Sequence, residues 1–503
     1  MSALLEGVGA LLDPTIGLCL LIGVLLGTLV GAIPGVTATM AVALAAGFTL
    51  TLEPLQGLAV LLAIYVAAQF GDRVPAILIN TPGTPASIAT TFDGYPLAKQ
   101  GRAGVALTSS ALVSAFGSVA GILILVFAAQ PLAGIALQFG PAEMFALVVF
   151  GLTMMVGVSG GKVAKGLVAG VVGLLLGTVG RDPITGDQRF TLGLPELSSG
   201  IPFIAAIVGL FGIAEVFNQI VCARRGARPA LITQLGSWWP SRSERRELRR
   251  PAAIGAGVGA VVGVIPAAGG DIAGVIAWDQ ARRASKHPEK FGKGSLEGLA
   301  APDTASTATM GGSVTTTLAL GVPGDSVMAV MLGSMIIWGL QPGPSLFVNS
   351  PDLVFSLATI MLVATAVTLG LSLLRLQGVV KLLALPQRYL WAVIITFCMV
   401  GTFAVQNNPF DVALMLVFGV LGLGMRRFGF PAGPMVLGLI LGPLAESNLR
   451  RALLIDGASG ILSSPIALAL LALSVLAVAG PRLRAAARSR RRRTERDRDP
   501  VAG

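Results

Sequence analysis

Asn80-Thr81-Pro82-Gly83-Thr84-Pro85 interrupts one long apolar stretch of this chain, and Leu320-Gly321-Val322-Pro323-Gly324-Asp325-Ser326 interrupts another roughly 240 residues later. Proline and glycine at these points free backbone groups from helix hydrogen bonding. In lipid such groups are too costly to leave bare, so they persist only where they line a cavity or meet a ligand. Paired Gly/Pro-interrupted apolar segments in matching places of two halves are the sequence mark of a transporter's binding site.

The surrounding sequence is membrane-grade. Mean hydropathy is +0.81, and 54% of the 503 residues are hydrophobic against 12% charged, which excludes a soluble globule. The expectation is an all-α polytopic membrane protein of about 10–12 transmembrane helices, one per apolar run of about 20 residues. The candidate spans are 13–33, 103–129, 141–158, 163–180, 200–220, 251–267, 351–375, 387–405, 409–425, 431–447 and 463–480. The runs 36–52, 55–70, 270–280 and 325–340 are short or broken and read as half-helices, re-entrant pieces or tilted spans. Gly23-Gly27-Gly31 and Gly255-Gly259-Gly263 each put small residues on one helix face, a pattern for close helix packing.

Other chemistry is thin. Cys19, Cys222 and Cys398 have no metal-ligand spacing, and the single histidine, His287, makes a Ser-His-Asp triad untenable. No Walker-type phosphate loop is present, which argues against an ATP-driven pump in this chain. The first apolar run lacks a basic flank and reads as a retained span, not a cleaved leader. The net charge of +11 is concentrated in two places: Arg224, Arg225, Arg228, Arg242, Arg245, Arg246, Arg249 and Arg250, and the tail RSRRRRTERDR. Cytoplasmic loops carry this excess, so these are topology determinants and no nucleic-acid partner is expected. Trp238-Trp239 marks the membrane–water boundary.

Four landmarks recur in order. Gly31-Ala32-Ile33-Pro34-Gly35 is echoed by Gly263-Val264-Ile265-Pro266-Ala267, and the two breaks come next. Pro141-Ala142-Glu143-Met144-Phe145 then matches Pro386-Gln387-Arg388-Tyr389-Leu390, and Ala214-Glu215 matches Ala445-Glu446. The expected organisation is an N-terminal segment 1–12, a membrane repeat 13–221, a basic cytoplasmic linker 222–250, a second membrane repeat 251–450, an extra span 451–480 and a basic disordered tail 481–503. Each repeat carries one Pro-Gly-broken or re-entrant hairpin. With linker and tail cytoplasmic and the N-terminus outside, the repeats are inverted; Arg450-Arg451 then falls outside, the weak point of the scheme.

At 285–302 the sequence reads SKHPEKFGKGSLEGLAAP, followed by Leu320-Gly321-Val322-Pro323-Gly324 and Gly339-Leu340-Gln341-Pro342-Gly343-Pro344; residues 77–101 read ILINTPGTPASIATTFDGYPLAKQG. Together these closely resemble the large permease subunit of the tripartite tricarboxylate transporters, from about Gly23 to Pro465. The resemblance implies a secondary transporter of the bacterial inner membrane, importing a carboxylate with Na⁺ or H⁺. It also implies two partners, a small four-span membrane subunit and a periplasmic solute-binding protein. The chain departs from the family pattern at Gly71-Asp72-Arg73, at Ala301-Pro302-Asp303-Thr304-Ala305-Ser306-Thr307 and at Pro266-Ala267, near the expected cavity. These departures bear on substrate and ion, not on fold.

The residues themselves suggest roles. The first break offers Asn80, Thr81, Pro82, Gly83 and Thr84 at the start of a new helix, whose free N–H groups and positive dipole end suit an anion. Pro323, Gly324 and Ser326 are the counterparts in the second break, and Ser306 and Thr307 belong to a Ser/Thr-rich run that reads as cavity lining. Asp325 reads as a helix N-cap or as a cation ligand, and Asp271 and Asp303 raise the same question. These three acids are the cation-coupling candidates; no cofactor and no metal beyond Na⁺ is expected. Asp72-Arg73 reads as a loop pair at the water boundary, because burying it costs desolvation. Asp93-Gly94-Tyr95-Pro96 reads as a turn that buttresses the hairpin tip, and His287 as a surface residue. A competing class, an intramembrane aspartyl hydrolase, would use Asp271 with Asp303 or Asp325 to activate water. A non-transporting membrane scaffold is the third class. Saturable, ion-coupled uptake separates transport from both.

Overall fold

A computed structural model describes residues 9, 13–158, 163–182, 185–223, 232, 235–266, 268–374 and 387–476. Most of the segment 1–12, Arg224, Arg225, Arg228, Ala267, Pro386 and the tail lie outside the described residues, as do the side chains of Cys222, Gln387, Arg388 and Leu390.

The chain is almost wholly helical: α1 Pro14–Gly31, α2 Ala38–Thr49, α3 Pro54–Gly71, α4 Arg73–Ile79, α5 Ile88–Leu97, α6 Ala103–Ala136, α7 Pro141–Val158, α8 Val163–Gly177, α9 Phe203–Ile207 and α10 Ala214–Ala223. The second half continues with α11 Arg242–Gly263, α12 Gly269–Ala284, α13 Leu296–Leu320, α14 Ser326–Ile337, α15 Pro344–Asn349, α16 Pro351–Leu373, α17 Gln387–Gln406, α18 Pro409–Phe428 and α19 Ala432–Ser463. Among the described residues six helices are long and apolar enough to cross a membrane: Pro14–Gly31, Pro54–Ile79, Pro85–Ala136, Phe203–Val221, Asp352–Leu373 and Pro409–Phe428. Shorter apolar helices, such as Ala38–Thr49 and Ser326–Ile337, pack among them. The run 55–70, read from sequence as short or broken, is instead the front of a 26-residue span. Its polar residues Gln69, Asp72 and Arg73 are buried in protein, so they do not cut the span short.

By packing the chain divides into two compact units, residues 1–138 with 202–424, and residues 139–201 with 425–503. In the first unit, α1 lies parallel to α3 and α11 lies parallel to α13, both along the glycine stripes. A Cβ on Gly27 would stand 2.6 Å from the Ile64 carbonyl oxygen, and one on Gly259 would stand 2.5 Å from that of Ala305. Glycine alone permits this approach, which in a membrane is a main source of helix association. The likeness extends to the breaks. Asn80 (φ 52°) ends α4 and Gly321 (φ 68°) ends α13, both left-handed. Thr84 and Asp325 then start the next helices from extended backbone. Gly83 sits on Asp72 and Gly324 sits on Ser313, again 241 positions apart in both cases. The halves also interlock: α2 of the first packs on α14 of the second, and α12 of the second packs on the Pro85–Ser87 turn and α5 of the first.

Asp93-Gly94-Tyr95-Pro96 is not a turn. It is helical within α5, with Pro96 inside the helix, and the chain bends later at Gly101 (φ 76°). The local Asx turn is lost because the Asp93 carboxylate is taken by distant backbone. Its Oδ1 accepts from the amides of Gly292, Gly294 and Ser295 at 2.9, 3.0 and 2.8 Å, and its Oδ2 from the Trp278 indole at 2.8 Å. Trp278 is stacked edge-on between Phe92 and Phe291, so the buttress expected at the hairpin tip is a buried carboxylate under an aromatic cover. His287 is exposed beside Glu289.

In the second unit α8 packs on α19, where a Cβ on Gly173 would stand 2.0 Å from the Met435 carbonyl oxygen. A two-residue hairpin pairs Gly180 with Arg189. Arg189 holds Glu446 bidentately at 2.7 and 3.0 Å, and Arg450 reaches Glu446 at 2.7 Å and Asp182 at 3.0 Å. Arg450, awkward for the topology scheme as a bare cation, is therefore neutralised.

Candidate functional site

Each break packs against α3–α4 and α13, which run past each other in opposite directions. Arg73 meets Asp303 and Ser306, whereas Tyr65, two turns earlier, meets the break that rests on Ser313. On α3–α4 the spacing of Tyr65, Gln69, Asp72 and Arg73 places all four on one face. On α13 the spacing of Ser306, Met310 and Ser313 does the same.

At the first break the local sequence builds a charged cluster. Asp72 interrupts the α3–α4 helix, and both Asp72 and Arg73 are buried, which corrects the loop-pair reading. The desolvation cost is met because the carboxylates are fully served with donors. Asp72 accepts from the Arg73 Nη1 and from the Thr84 hydroxyl. Asp303 accepts from the hydroxyls of Thr90 and Ser110 and lies 3.2 Å from Arg73 Nε. Arg73 Nη2 donates to Ser306 Oγ at 2.6 Å. The guanidinium thus ties α4 to α13, and α5 and α6 reach the same knot through Thr90 and Ser110. Ser87 accepts from the Thr84 amide at 3.3 Å, which fixes the start of the post-break helix. Thr81 spends its hydroxyl on the Ile79 carbonyl at 3.2 Å; Asn80 is exposed and Pro82 half-buried beside it.

Among the described residues no guanidinium is paired at the second break. Asp325 is a true N-cap, accepting from the Met328 amide at 2.8 Å, and it also accepts from the Tyr65 hydroxyl. Ser326 shares a 2.8 Å hydrogen bond with Thr39 of α2. Pro323 and Gly324 are buried, and the Gly324 amide donates to Thr317 Oγ at 3.3 Å. Asp271, in the first turn of α12, is close by: a Cβ on Gly269 would stand 2.6 Å from Asp271 Oδ1 and 3.9 Å from Asp325 Cβ.

The two breaks are therefore related chemically by exchange. In the first half the acid is on the helix (Asp72) and the hydroxyl on the cap (Thr84); in the second the hydroxyl is on the helix (Ser313) and the acid on the cap (Asp325). Of the sequence-predicted residues, Thr84, Asp303 and Ser306 gather at the first cluster, and Pro323, Gly324, Asp325, Ser326 and Asp271 at the second. Thr307 joins neither. Its hydroxyl returns to the carbonyls of Asp303 and Thr304, and it packs against Gly117 of α6. The same holds for most of the Ser/Thr run: Thr304, Thr309, Thr315, Thr316 and Thr317 bond back to carbonyls three or four residues earlier. Such hydroxyls satisfy themselves within the helix, so this run is packing surface except at Ser306 and Ser313. Tyr65, Thr39 and Ser110 were missed. Tyr65 left one signal: a phenol inside an apolar helix needs a partner for its hydroxyl.

At the start of α11, Ser241 and Glu244 form a capping box, and Arg102 pairs with Glu244. Burial pushes the Glu244 carboxyl up, but the Ser241 amide and hydroxyl and Arg102 outweigh it and hold it below the ordinary range. A cavity of about 190 Å³, lined by Gly339, Leu340, Gln341, Leu346, Asn349 and Ser350, opens beyond the end of α14, and no residue of either cluster lines it.

Over 459 residues the chain is 40% identical to the "Uncharacterized 52.8 kDa protein in TAR-I ttuC' 3'region" of Agrobacterium vitis, covering 91% of each chain. A second Agrobacterium vitis protein, from the TAR-II ttuC' 3'region, is 36% identical over 222 residues, 44% of this chain and 92% of that one. No solved structure matches. Residues 18–437 match the family described as "Tripartite tricarboxylate transporter TctA family". With broken helices packed inside a multi-span membrane protein and a family match across most of its length, the chain belongs to the tripartite tricarboxylate transporter TctA family.

Proposed function

We propose that this chain is the large membrane subunit of a binding-protein-dependent secondary transporter. It imports a di- or tricarboxylate-like solute across a bacterial inner membrane by symport with Na⁺ or H⁺, and it is not an enzyme. The observation that carries the reading is the pair of equivalent breaks set against the same two helices, one break from each half. Residues 13–221 and 251–450 act as two inverted repeats. Support comes from the opposite direction of α3–α4 and α13 and from the matching glycine contacts of α1 on α3 and α11 on α13.

In this reading the solute enters between the hairpins, and the Thr84 and Ser326 hydroxyls turn from Asp72 and Thr39 to the carboxylate. Thr81 and the break backbone complete the shell. Asp325, Asp303 and Asp271 couple the cation, with Asp303 acting through Arg73. A periplasmic binding protein delivers the solute from the outside, and a four-span subunit completes the membrane complex.

The test is uptake by proteoliposomes holding this chain, the four-span subunit and the binding protein, with radiolabelled di- and tricarboxylates and an imposed Na⁺ or H⁺ gradient. Saturable accumulation that needs both the gradient and the binding protein is expected. Uptake that stays linear with concentration, or that never exceeds equilibration, would sink the proposal. For topology, a cysteine at Ser241 should react with an impermeant reagent only from inside, and one at Leu192 only from outside; the reverse pattern overturns the inverted scheme.

A further inference from the structure

The chemical exchange between the breaks leaves them unequal in charge. At the first break the carboxylates of Asp72 and Asp303 face a guanidinium and three hydroxyl donors, Thr84, Thr90 and Ser110. At the second, Asp325 faces a phenol and one amide, and no Lys or Arg among the described residues is paired with it. The position corresponding to Arg73 in the second half is Val314. Two buried side-chain oxygens on the helices that face this break are also left over. Ser313 is wholly buried and within reach of both Asp325 and Tyr65, yet its Oγ makes no hydrogen bond of ordinary geometry to either. Gln69 follows Tyr65 by one turn on the same face of α3; it is 6% exposed, and its Oε1 has no hydrogen-bond partner. Buried polar atoms are rarely left unserved, and such exceptions point to a missing partner.

We propose that the second break binds one small, hard monovalent cation of the Na⁺ class through Asp325, Ser313 and Gln69, while the first break binds none because Arg73 stands there as a built-in cation. The inference rests on the symport reading above and deepens it by naming the ion site. The leftover atoms are oxygens, and hard cations select oxygen ligands. The Tyr65 oxygen and carbonyls freed by the break are further ligands of the same kind. A proton does not meet the same need: on Asp325 it would serve only one of the two orphaned oxygens. Asp271, on α12, is the other acid facing this place and adds to its pull on a cation. At the first break no side-chain oxygen of Asp72, Thr84, Asp303 or Ser306 is left over, so nothing there calls for a mobile ion.

The experiment uses the full chain in lipid nanodiscs, without solute or partner subunits, at fixed pH and ionic strength. Thermal unfolding is followed as choline chloride is exchanged for NaCl or KCl. A ligand that binds the native state raises the unfolding temperature by mass action. The expected result is a saturable rise with Na⁺ that K⁺ reproduces poorly. Asp325→Asn should abolish the rise, and Ser313→Ala should move its midpoint by about tenfold or more. Asp72→Asn should lower the baseline without moving the midpoint, and the exposed Asp279→Asn should change neither. If Asp325→Asn does not fold, Ser313→Ala decides alone. Equal responses to Na⁺, K⁺ and choline overturn the proposal, as does a wild-type midpoint in Ser313→Ala. A midpoint shift in Asp72→Asn overturns the claim that the first break is ion-free. A normal Na⁺ response without carboxylate uptake would instead sink only the transport reading.

Discussion

Removing the Asp93 side chain should free the loop 285–295 while leaving the membrane helices in place. Asp93 is fully buried, and one of its oxygens holds three backbone amides of that loop. Hydrogen bonds to a charged group contribute roughly 1.5–3 kcal/mol each. Three such bonds and the Trp278 indole give a gross figure of about 6–12 kcal/mol. Water entering from the loop side replaces much of it, so a net cost of about 3–4 kcal/mol for local opening is expected in Asp93→Ala. Trypsin reads this directly, since Lys286, Lys290 and Lys293 in the loop are all exposed. When opening is fast relative to cleavage, the cutting rate follows the open population; at 1.4 kcal/mol per decade the rate should rise by about 10²-fold to 10³-fold. Asp93→Asn keeps an acceptor for the amides but turns an N–H toward the Trp278 N–H. It should fall between, at about tenfold. Cleavage at the wild-type rate in Asp93→Ala would refute the idea that this carboxylate organises the loop.

Arg73→Met should destabilise the chain by about 3–5 kcal/mol, because Asp72 and Asp303 are left buried without their counter-charge; adding Asp72→Asn and Asp303→Asn should recover part of the lost unfolding temperature. Gly259→Ala drives a methyl to 2.5 Å from the Ala305 carbonyl oxygen, and a loss of about 1–3 kcal/mol, read as lower thermal stability, should follow; Gly257→Ala, with open space around it, should be neutral. Glu244 gives a pH signature. Its carboxyl is held below the ordinary value, so its contribution is present above about pH 4.3 and is lost as pH falls through the lowered value. The stability gap between wild type and Glu244→Gln, no more than about 1 kcal/mol for such a half-exposed pair, should therefore close in acid and persist at neutral pH.

Much of the fold was legible because the signals were backbone signals. Pro-Gly breaks and glycine stripes report directly on what a helix can do in lipid, and both have counterparts at the places where they were read; the apolar runs translated less evenly, because the run 55–70 proved to be part of a 26-residue span. The candidate site was legible only in part, because side-chain partners come from the other half of the chain. Asp72-Arg73 looked too expensive to bury, and the residues that make burial affordable, Asp303 and Ser306, lie more than two hundred positions away. The Ser/Thr run of α13 misled for the opposite reason: composition shows hydroxyls, but only coordinates show that most turn back onto their own helix. The Asp93 turn failed similarly, since its amide partners sit in the second half.

The crossed packing of the halves has a consequence for synthesis. Arg73 leaves the ribosome long before Asp303 and Ser306, and Asp93 long before the amides of Gly292 to Ser295. At about 5–20 residues per second, the nascent chain waits on the order of ten to fifty seconds for these partners. During that interval the first hairpin carries a polar knot with half its strands missing, in or beside the bilayer. Its hydroxyls, guanidinium and carboxylates must be sheltered by water at the insertion channel or by a chaperoning helix. Assembly of this protein is thus a closing event late in translation, and the first half released alone would be a substrate for membrane quality control.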